Sequence, residues 1–343
     1  MNTIISVADK TPETCDLSNL SKKELFARCE DMGIAKYKSK NKTELIAMLN
    51  TPQIATDHPT LLLETGDEHI HPSVDGIHSK HVHLKPIIKW SGGKSDEIKF
   101  IKQYFPAHYD RYLEPFVGGG SVYFYLNPHN AVISDVHTEL IDFYKSIALG
   151  HSQAIHDFMD QSPNDEITYY NIRDNMKIGD MVDVAKRFYY QRKTCFRGML
   201  RYNKKTGKFN IPFGRYKTIK YNELLDVSYE RLLARTEILD KGYDYIFENY
   251  NDETNFMFLD PPYDSEFTDY GYYQFGKEDH KKLATLFKTT RIKCLMVIGK
   301  TDFIQELYEG YIVSEYDKKY KFKIYNNRVG DEINTKHLVI KNY

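Results

Sequence analysis

The chain has 343 residues, with 47 Lys and Arg against 48 Asp and Glu and a formal net charge of −1, so any basic surface must be local. Hydrophobic residues make up 41% and charged residues 28%, an ordinary globular composition, and the length suggests two domains. The 4 cysteines form no Cys-x-x-Cys pair, which excludes a zinc site or a disulfide framework as a first reading, and no metal is expected. No basic segment followed by an apolar core opens the chain, and no apolar run approaches the ~20 residues of a membrane span. A soluble intracellular protein without a membrane partner is expected.

Residues 15–50 make the first unit. Leu17, Leu20, Leu25 and Phe26 predict a short helix, capped at Ser21 with Glu24 three residues later. Thr43 is expected to cap a second helix carrying Leu45, Ile46 and Leu49. Lys36, Lys38, Lys40 and Lys42 crowd the start of that helix, where backbone N–H groups already favour phosphate. The unit resembles a SAP module, a two-helix DNA-binding motif, which implies Lys40 and Lys42 as DNA contacts. A helical hairpin that docks on protein is the competing reading. Residues 51–84 hold no sustained period and carry Pro52, Pro59, Pro72, Gly66 and Gly76, the pattern of a linker. The pairs His69-x-His71 and His81-x-His83 have no acidic or thiol ligands arranged with them.

From residue 86 onward short apolar runs alternate with helical patterns. Arg111–Phe116, Ala131–Ser134, Phe256–Leu259 and Lys293–Ile298 predict a mostly parallel sheet with helices on both faces. Tyr311–Tyr316 and His337–Lys341 are expected to add an antiparallel edge pair. Residues 150–250 break this rhythm, being helical and then rich in Arg, Tyr, Gly and Asn. They predict a second domain inserted between 86–149 and 251–343.

Glu114-Pro115-Phe116-Val117-Gly118-Gly119-Gly120 follows the first of these strands. Glycines there let backbone approach a ligand at the carboxyl end of the strand. Asp135 ends the next strand, where an acid can accept hydrogen bonds from cofactor hydroxyls. A nicotinamide cofactor would fit these two features alone. Two further motifs narrow the choice: Lys89-Trp90-Ser91-Gly92-Gly93-Lys94 upstream, and Asp260-Pro261-Pro262-Tyr263 after a very apolar strand. In this order the four motifs resemble the Dam-type family of adenine-specific DNA methyltransferases, over about 86–343. The resemblance implies a Rossmann-like α/β methyltransferase fold and S-adenosylmethionine as cofactor. It assigns the cofactor to Trp90, Gly93, Lys94, Glu114, Phe116, Gly118, Gly120, Asp135 and Asp260.

The chemistry expected of Asp260, Pro261, Pro262 and Tyr263 follows from adenine itself. Its exocyclic amine is a poor nucleophile because the lone pair delocalises into the ring. The Asp260 carboxylate and the Pro261 carbonyl would accept its two N–H groups and localise that pair. Consecutive prolines fix the backbone and donate no competing N–H. Tyr263 would stack on a base flipped out of the duplex. Positioning and electrostatics would carry the rate without a covalent enzyme intermediate.

Residues 196–216 are similar to the DNA-reading hairpin of that family, which implies double-stranded DNA as partner. Arg201 has the fork to read a guanine edge, Phe196 could wedge into the space left by a flipped base, and Met199 and Pro212 could touch a thymine methyl. Asn203 and Gly207 suit the turn. Arg192, Lys193, Arg197, Lys204, Lys205, Lys208, Arg215 and Lys217 are expected to supply local positive charge. Arg197 stands where the family usually has Asn, Phe196 where Tyr is common, and Gly299-Lys300 where Ser-Asn is frequent. These departures bear on the target sequence, for which GATC is the first expectation. A catalytically silent DNA-binding protein and an RNA adenine methyltransferase are the competing functions.

Overall fold

In the computed structural model, residues 21–31, 41–49, 83–264, 275–320 and 333–343 are described. The chain divides into two compact units, Met1–Ile77 and His78–Tyr343.

In the first unit α1 (Lys22–Asp31) opens on a reciprocal cap. The Ser21 N–H donates to the Glu24 carboxylate at 2.8 Å, and the Glu24 N–H returns to the Ser21 hydroxyl at 3.4 Å. Helix α2 (Lys42–Leu49) starts earlier than the sequence suggested. Its cap is Asn41, whose carboxamide oxygen accepts the Glu44 N–H at 3.0 Å while the Asn41 N–H donates to Glu44 at 2.9 Å. Glu44 stands three residues after Asn41 and only one after Thr43, so the acid selects Asn41 and leaves Thr43 inside the first turn. Leu25, Leu45 and Leu49 form the small core, with Phe26 and Ile46 packed against it. Lys42 is exposed, and Lys36, Lys38 and Lys40 lie outside the described residues.

The second unit is built on a sheet of seven strands: β1 (Tyr112–Glu114), β2 (Ala131–Ser134), β3 (Thr236–Leu239), β4 (Phe256–Leu259), β5 (Lys293–Gly299), β6 (Ile312–Tyr320) and β7 (Ile333–Lys341). Their spatial order is β3-β2-β1-β4-β5-β7-β6. The first five are parallel, while β7 runs antiparallel to both β5 and β6, with Met296 opposite Ile340 and Tyr316 opposite His337. This is the mostly parallel Rossmann-like sheet with an antiparallel edge pair that the pattern predicted. Side chains alternate across it with period 2. Tyr112, Ile133, Phe256, Phe258, Leu295 and Val297 enter one core layer; Leu113, Val132, Met257, Leu259, Met296 and Ile298 enter the other.

The chain crosses between layers through α3 (Ile98–Ile101), α4 (Ser121–Leu126), α5 (Thr138–Ala148), α6 (Ser152–Gln161), α7 (Glu166–Asn175), α8 (Met181–Thr194), α9 (Val227–Ala234), α10 (Tyr243–Asn249), α11 (Lys277–Thr289) and α12 (Asp302–Leu307). Residues of α3 to α9 cover the first layer, among them Phe124, Phe143, Phe188 and Leu232, while Phe247, Phe287 and Ile304 of α10 to α12 cover the second.

Residues 150–250 share the second unit with the sheet. Ile155, Met159, Tyr169 and Phe188 belong to the same core as the sheet, and β3 pairs with β2, Ala131 opposite Thr236. Only Ile238 of that edge strand is buried, so no apolar run marked it in the sequence. The packed unit also starts before residue 86: Leu84 is buried with its N–H on the Phe124 carbonyl at 3.1 Å, and His83 stacks on Tyr125 at 4.1 Å. Among the described residues, no helix is long and apolar enough to cross a membrane.

Candidate active site

Strand order reverses between β1 and β4, and ligands of open α/β sheets bind outside the carboxyl ends of the strands at such a point. A cleft with an empty volume of about 940 Å³, part of it open to solvent, lies there. Its lining brings together all the residues that the sequence assigned to cofactor and catalysis: Trp90, Gly93 and Lys94; Glu114, Phe116, Gly118 and Gly120; Asp135; and Asp260 to Tyr263.

The glycine loop is shaped by Trp90. A Cβ at Gly118 would lie 2.6 Å from the indole Nε1, and one at Gly119 2.8 Å from the Trp90 Cβ, closer than real Cβ atoms come. Gly118 and Gly120 also hold φ of 46° and 66°, the left-handed region that favours glycine. The Gly118 N–H donates to Asp135 Oδ2 at 3.0 Å, so the two motifs fix each other. Asp135 is buried, and burial pushes its carboxyl up to about 6 although the N–H groups of Gly118 and His137 lower it. Phe116 stacks on Tyr243 at 5.5 Å and closes the apolar side of the cleft. These features suit a cofactor with both a planar apolar part and hydroxyl groups.

At the other side Lys94, 1% exposed, donates to Asp260 Oδ1 at 2.5 Å and to the Gly92 carbonyl at 2.8 Å. Burial raises the Asp260 carboxyl above its ordinary range, and Lys94 lowers it. Among the described residues nothing hydrogen-bonds Asp260 Oδ2. Tyr263 lies under the Lys94 ammonium, 5.2 Å from Nζ to ring centroid, and meets His337 edge-on at 5.3 Å. Behind it Glu97 is 2% exposed and accepts from Tyr316, Lys318 and the His337 imidazole, each at 2.6 Å. Burial raises the Glu97 carboxyl, but His337, Lys94 and Lys318 outweigh it and hold it at about 2. Glu97 and His337 lie in no recognised motif, and only the folded edge pair reveals them.

The hairpin after α8 carries the expected DNA contacts outside the cleft. Phe196, Arg197, Met199, Arg201, Lys204, Lys205 and Pro212 are exposed. The Asn203 carboxamide accepts the Lys205 and Thr206 N–H groups at 2.9 and 3.2 Å, so this side chain shapes the turn. The expectation of basic surface fails at two residues, Arg192 and Lys193. Arg192 is 1% exposed, donates to the carbonyls of Met199 at 2.7 Å, Lys89 at 2.8 Å and Gly198, and lies over Trp90 at 5.4 Å. Lys193 pairs with Glu223 and is mostly covered, whereas Arg215 stays exposed and contacts both Glu166 oxygens at 3.0 and 2.9 Å. A guanidinium can be buried when every face meets a carbonyl or a ring, which sequence alone does not reveal. On α6, His156, Asp157 and Asp160 bring ligand atoms within 4.8 Å of one another, and His156 already faces Asp160 at 3.3 Å.

Residues 90–324 match the family model of the D12 class N6 adenine-specific DNA methyltransferases. The chain is 60% identical over 262 residues to the type II methyltransferase M.CviBI of Paramecium bursaria Chlorella virus NC1A, covering 76% of this chain and 100% of that protein. It is 32% identical over 292 residues to the type II methyltransferase M.MjaIII of Methanocaldococcus jannaschii, covering 76% and 99%. It is 28% identical over 256 residues to the DNA adenine methylase of Haemophilus influenzae, covering 70% and 88%. The chain belongs to the D12 class N6 adenine-specific DNA methyltransferase family. It is an S-adenosylmethionine-dependent DNA adenine methyltransferase, which removes the nicotinamide and RNA alternatives.

Glu114 generates a test of the buried electrostatics. Burial pushes its carboxyl up to about 8, against hydrogen bonds from the Tyr112 hydroxyl at 2.7 Å and the Tyr123 N–H at 3.1 Å. Between the ordinary glutamate range and about pH 8, the folded protein keeps a proton that the unfolded chain has lost. Its contribution to stability is therefore full at low pH and falls as pH rises through that window. Glu114→Gln keeps an acceptor for both donors without a titrating group. Thermal melts across this range should show the variant gaining on the wild type with rising pH; a constant difference would mean that Glu114 titrates normally.

Proposed function

We propose that this enzyme is site-specific: it takes one adenine of a short duplex site out of the stack and methylates its amine at Asp260-Pro261-Pro262-Tyr263. The observation that carries the reading is the Lys94–Asp260 pair at the strand-order switch. Lys94 occupies Oδ1 and favours the ionised carboxylate against the effect of burial, and Oδ2 is left to accept from the amine. The Pro261 carbonyl would take the second N–H, and Tyr263, held between Lys94 and His337, would stack on the base. Trp90, Gly93, Lys94, Glu114, Phe116, Gly118, Gly120, Asp135 and Asp260 would hold S-adenosylmethionine, which when bound supplies an electrophilic methyl group on a sulfonium. What the protein adds is orientation and a fixed acceptor, both of which act most strongly in the transition state.

Asp260→Ala should abolish methyl transfer while largely keeping DNA affinity. Because the carboxylate must be ionised and Lys94 lowers its pKa, Lys94→Met at saturating cofactor should move the acid limb of the pH–rate profile to higher pH. Near-normal turnover in Asp260→Ala sinks the mechanism.

The hairpin would read the site. Arg201 is exposed and its Nε donates to Asn210 at 2.8 Å, so its two terminal nitrogens would be the groups that meet a guanine edge. Phe196 is the proposed wedge, with Met199 and Pro212 as methyl contacts and Arg197, Lys204 and Lys205 beside the phosphates. Asn203 would act by setting the turn, and Arg215 only after leaving Glu166. GATC is the first target sequence to try. Arg201→Ala should relax preference at one base position by about ten- to a hundredfold, the worth of a bidentate pair. Lys204→Ala or Lys205→Ala should weaken all duplexes alike. Uniform loss of methylation across single-substituted duplexes in Arg201→Ala would reduce Arg201 to a backbone contact.

The two-helix unit in residues 15–50 is proposed to be a SAP-like module that adds sequence-independent phosphate contacts through Lys40 and Lys42, with 51–84 as its linker, the last two residues of which pack within the second unit. Deletion of residues 1–77, the first compact unit, should preserve sequence preference, lower DNA affinity and flatten its salt dependence. Unchanged affinity and slope would give the unit another partner.

A further inference from the structure

The cofactor cleft and the hairpin are joined by a chain of hydrogen bonds that neither methyl transfer nor base reading uses. It starts at the glycine loop. Asp135 accepts the Gly118 N–H on one oxygen and the His137 N–H on the other, each at 3.0 Å. His137 is 4% exposed, and its ring meets Trp90 edge-on at 5.5 Å. Its Nδ1 accepts the Leu140 N–H at 3.2 Å and so caps α5. That nitrogen therefore carries no proton, the proton sits on Nε2, and Nε2 donates to the Tyr202 hydroxyl at 2.7 Å. Tyr202 in turn donates to Glu139 Oε2 at 2.8 Å, and Glu139 Oε1 takes Arg187 of α8 at 2.6 Å. Tyr202 pairs across the hairpin with Phe209.

We propose that the His137–Tyr202–Glu139 chain couples occupancy of the cofactor cleft to the setting of the DNA-reading hairpin, so that each ligand strengthens binding of the other. The proposal rests on the roles given to cleft and hairpin above. Every donor along the chain has a fixed direction, so no link can reverse to absorb a shift. The ring of His137 cannot turn away without losing the helix cap. A ligand hydroxyl competing for the Asp135 oxygens acts on the His137 N–H, and the hydrogen bond from that ring toward the hairpin runs to Tyr202. Burial holds the imidazole down at about 4, so His137 stays neutral and the direction of the chain persists at physiological pH. The second tie, Arg192 from Trp90 to the Gly198 and Met199 carbonyls, anchors the hairpin base, while the His137 chain meets it nearer the turn.

Coupling is reciprocal: whatever factor the cofactor adds to DNA affinity, DNA must add to cofactor affinity. The test uses the full chain, a labelled duplex of the sequence that the wild type methylates, and S-adenosylhomocysteine as an unreactive occupant of the cleft. The wild type should bind that duplex at least about fivefold more tightly with S-adenosylhomocysteine than without it. Tyr202→Phe keeps the ring and removes the hydroxyl; His137→Asn keeps a capping oxygen and removes the outward donor. Both should bring the factor close to one, and calorimetry of S-adenosylhomocysteine with and without the duplex should show the same loss. A wild-type factor of one overturns the proposal. So do variants that weaken DNA binding equally with and without the cofactor product, the behaviour of merely structural residues. Arg201→Ala in the same assay separates the two levels. If it leaves affinity and preference intact, the hairpin is not the reader; if it lowers them while Tyr202→Phe keeps the coupling factor, the chain alone fails.

Discussion

One close approach organises the functional half of the molecule: the Trp90 ring lies against the backbone of Gly118 and Gly119, at a distance that no side chain at those positions would permit. With its face and edges so placed, the indole carries the Arg192 guanidinium on one side and the His137 ring on another. The glycine loop thus gains its shape from a residue upstream of the sheet, and the hairpin gains its anchor from the same residue. The four motifs are dispersed in sequence and interdependent in space. A residue larger than glycine at 118 or 119 would displace Trp90, and through it both ties to the hairpin.

Electrostatics make the second constraint. Buried charges are costly unless each is paired and hydrogen-bonded. That demand is met by one pair in the cleft, Lys94 with Asp260, and by a cluster behind it, Glu97 with His337 and Lys318. Glu97 and His337 do not face the cleft, yet His337 meets Tyr263 edge-on, so the antiparallel edge pair supports the Asp260–Tyr263 segment. The Gly299-Lys300 departure fits the same geometry. A Cβ at Gly299 would meet the Tyr263 ring at 3.5 Å, an ordinary contact, so either glycine or the family's serine can stand there.

What the sequence revealed and what it hid follow from the range of the interactions concerned. The strands β1, β2, β4 and β5 were legible because each is a run of buried apolar residues, and the cleft was legible because its glycines, Asp135 and Asp260 sit at strand ends. Strand β3 was hidden because an edge strand with one buried residue has no apolar run. Arg192 was read as surface charge because its acceptors are backbone carbonyls, which any sequence offers. His137 was missed because its meaning lies in Tyr202, 65 residues away. Thr43 was preferred to Asn41 because both are good caps, and only the spacing to Glu44 decides between them.

The hairpin shows how a chain of net charge −1 can present a basic surface. Arg192 and Lys193 spend their charge on carbonyls and an acid within the protein, whereas Arg197, Arg201, Lys204, Lys205, Lys208, Arg215 and Lys217 remain exposed, Arg215 while pairing with Glu166. Arg197 stands in the left-handed region with φ 56°, and Gly198 follows with φ 62°. Asn tolerates that region better than Arg, which accounts physically for its frequency there in the family. Keeping Arg197 in that conformation requires a surrounding that over-determines it. The Gly198 N–H on the Cys195 carbonyl at 3.1 Å and the Gly198 carbonyl on Arg192 supply it. The strain at Arg197 is therefore balanced by the buried guanidinium beside it at the hairpin base, and the same guanidinium lies on Trp90. Rigid anchoring of the hairpin to the cofactor cleft and outward display of its cations are two consequences of one arrangement of side chains.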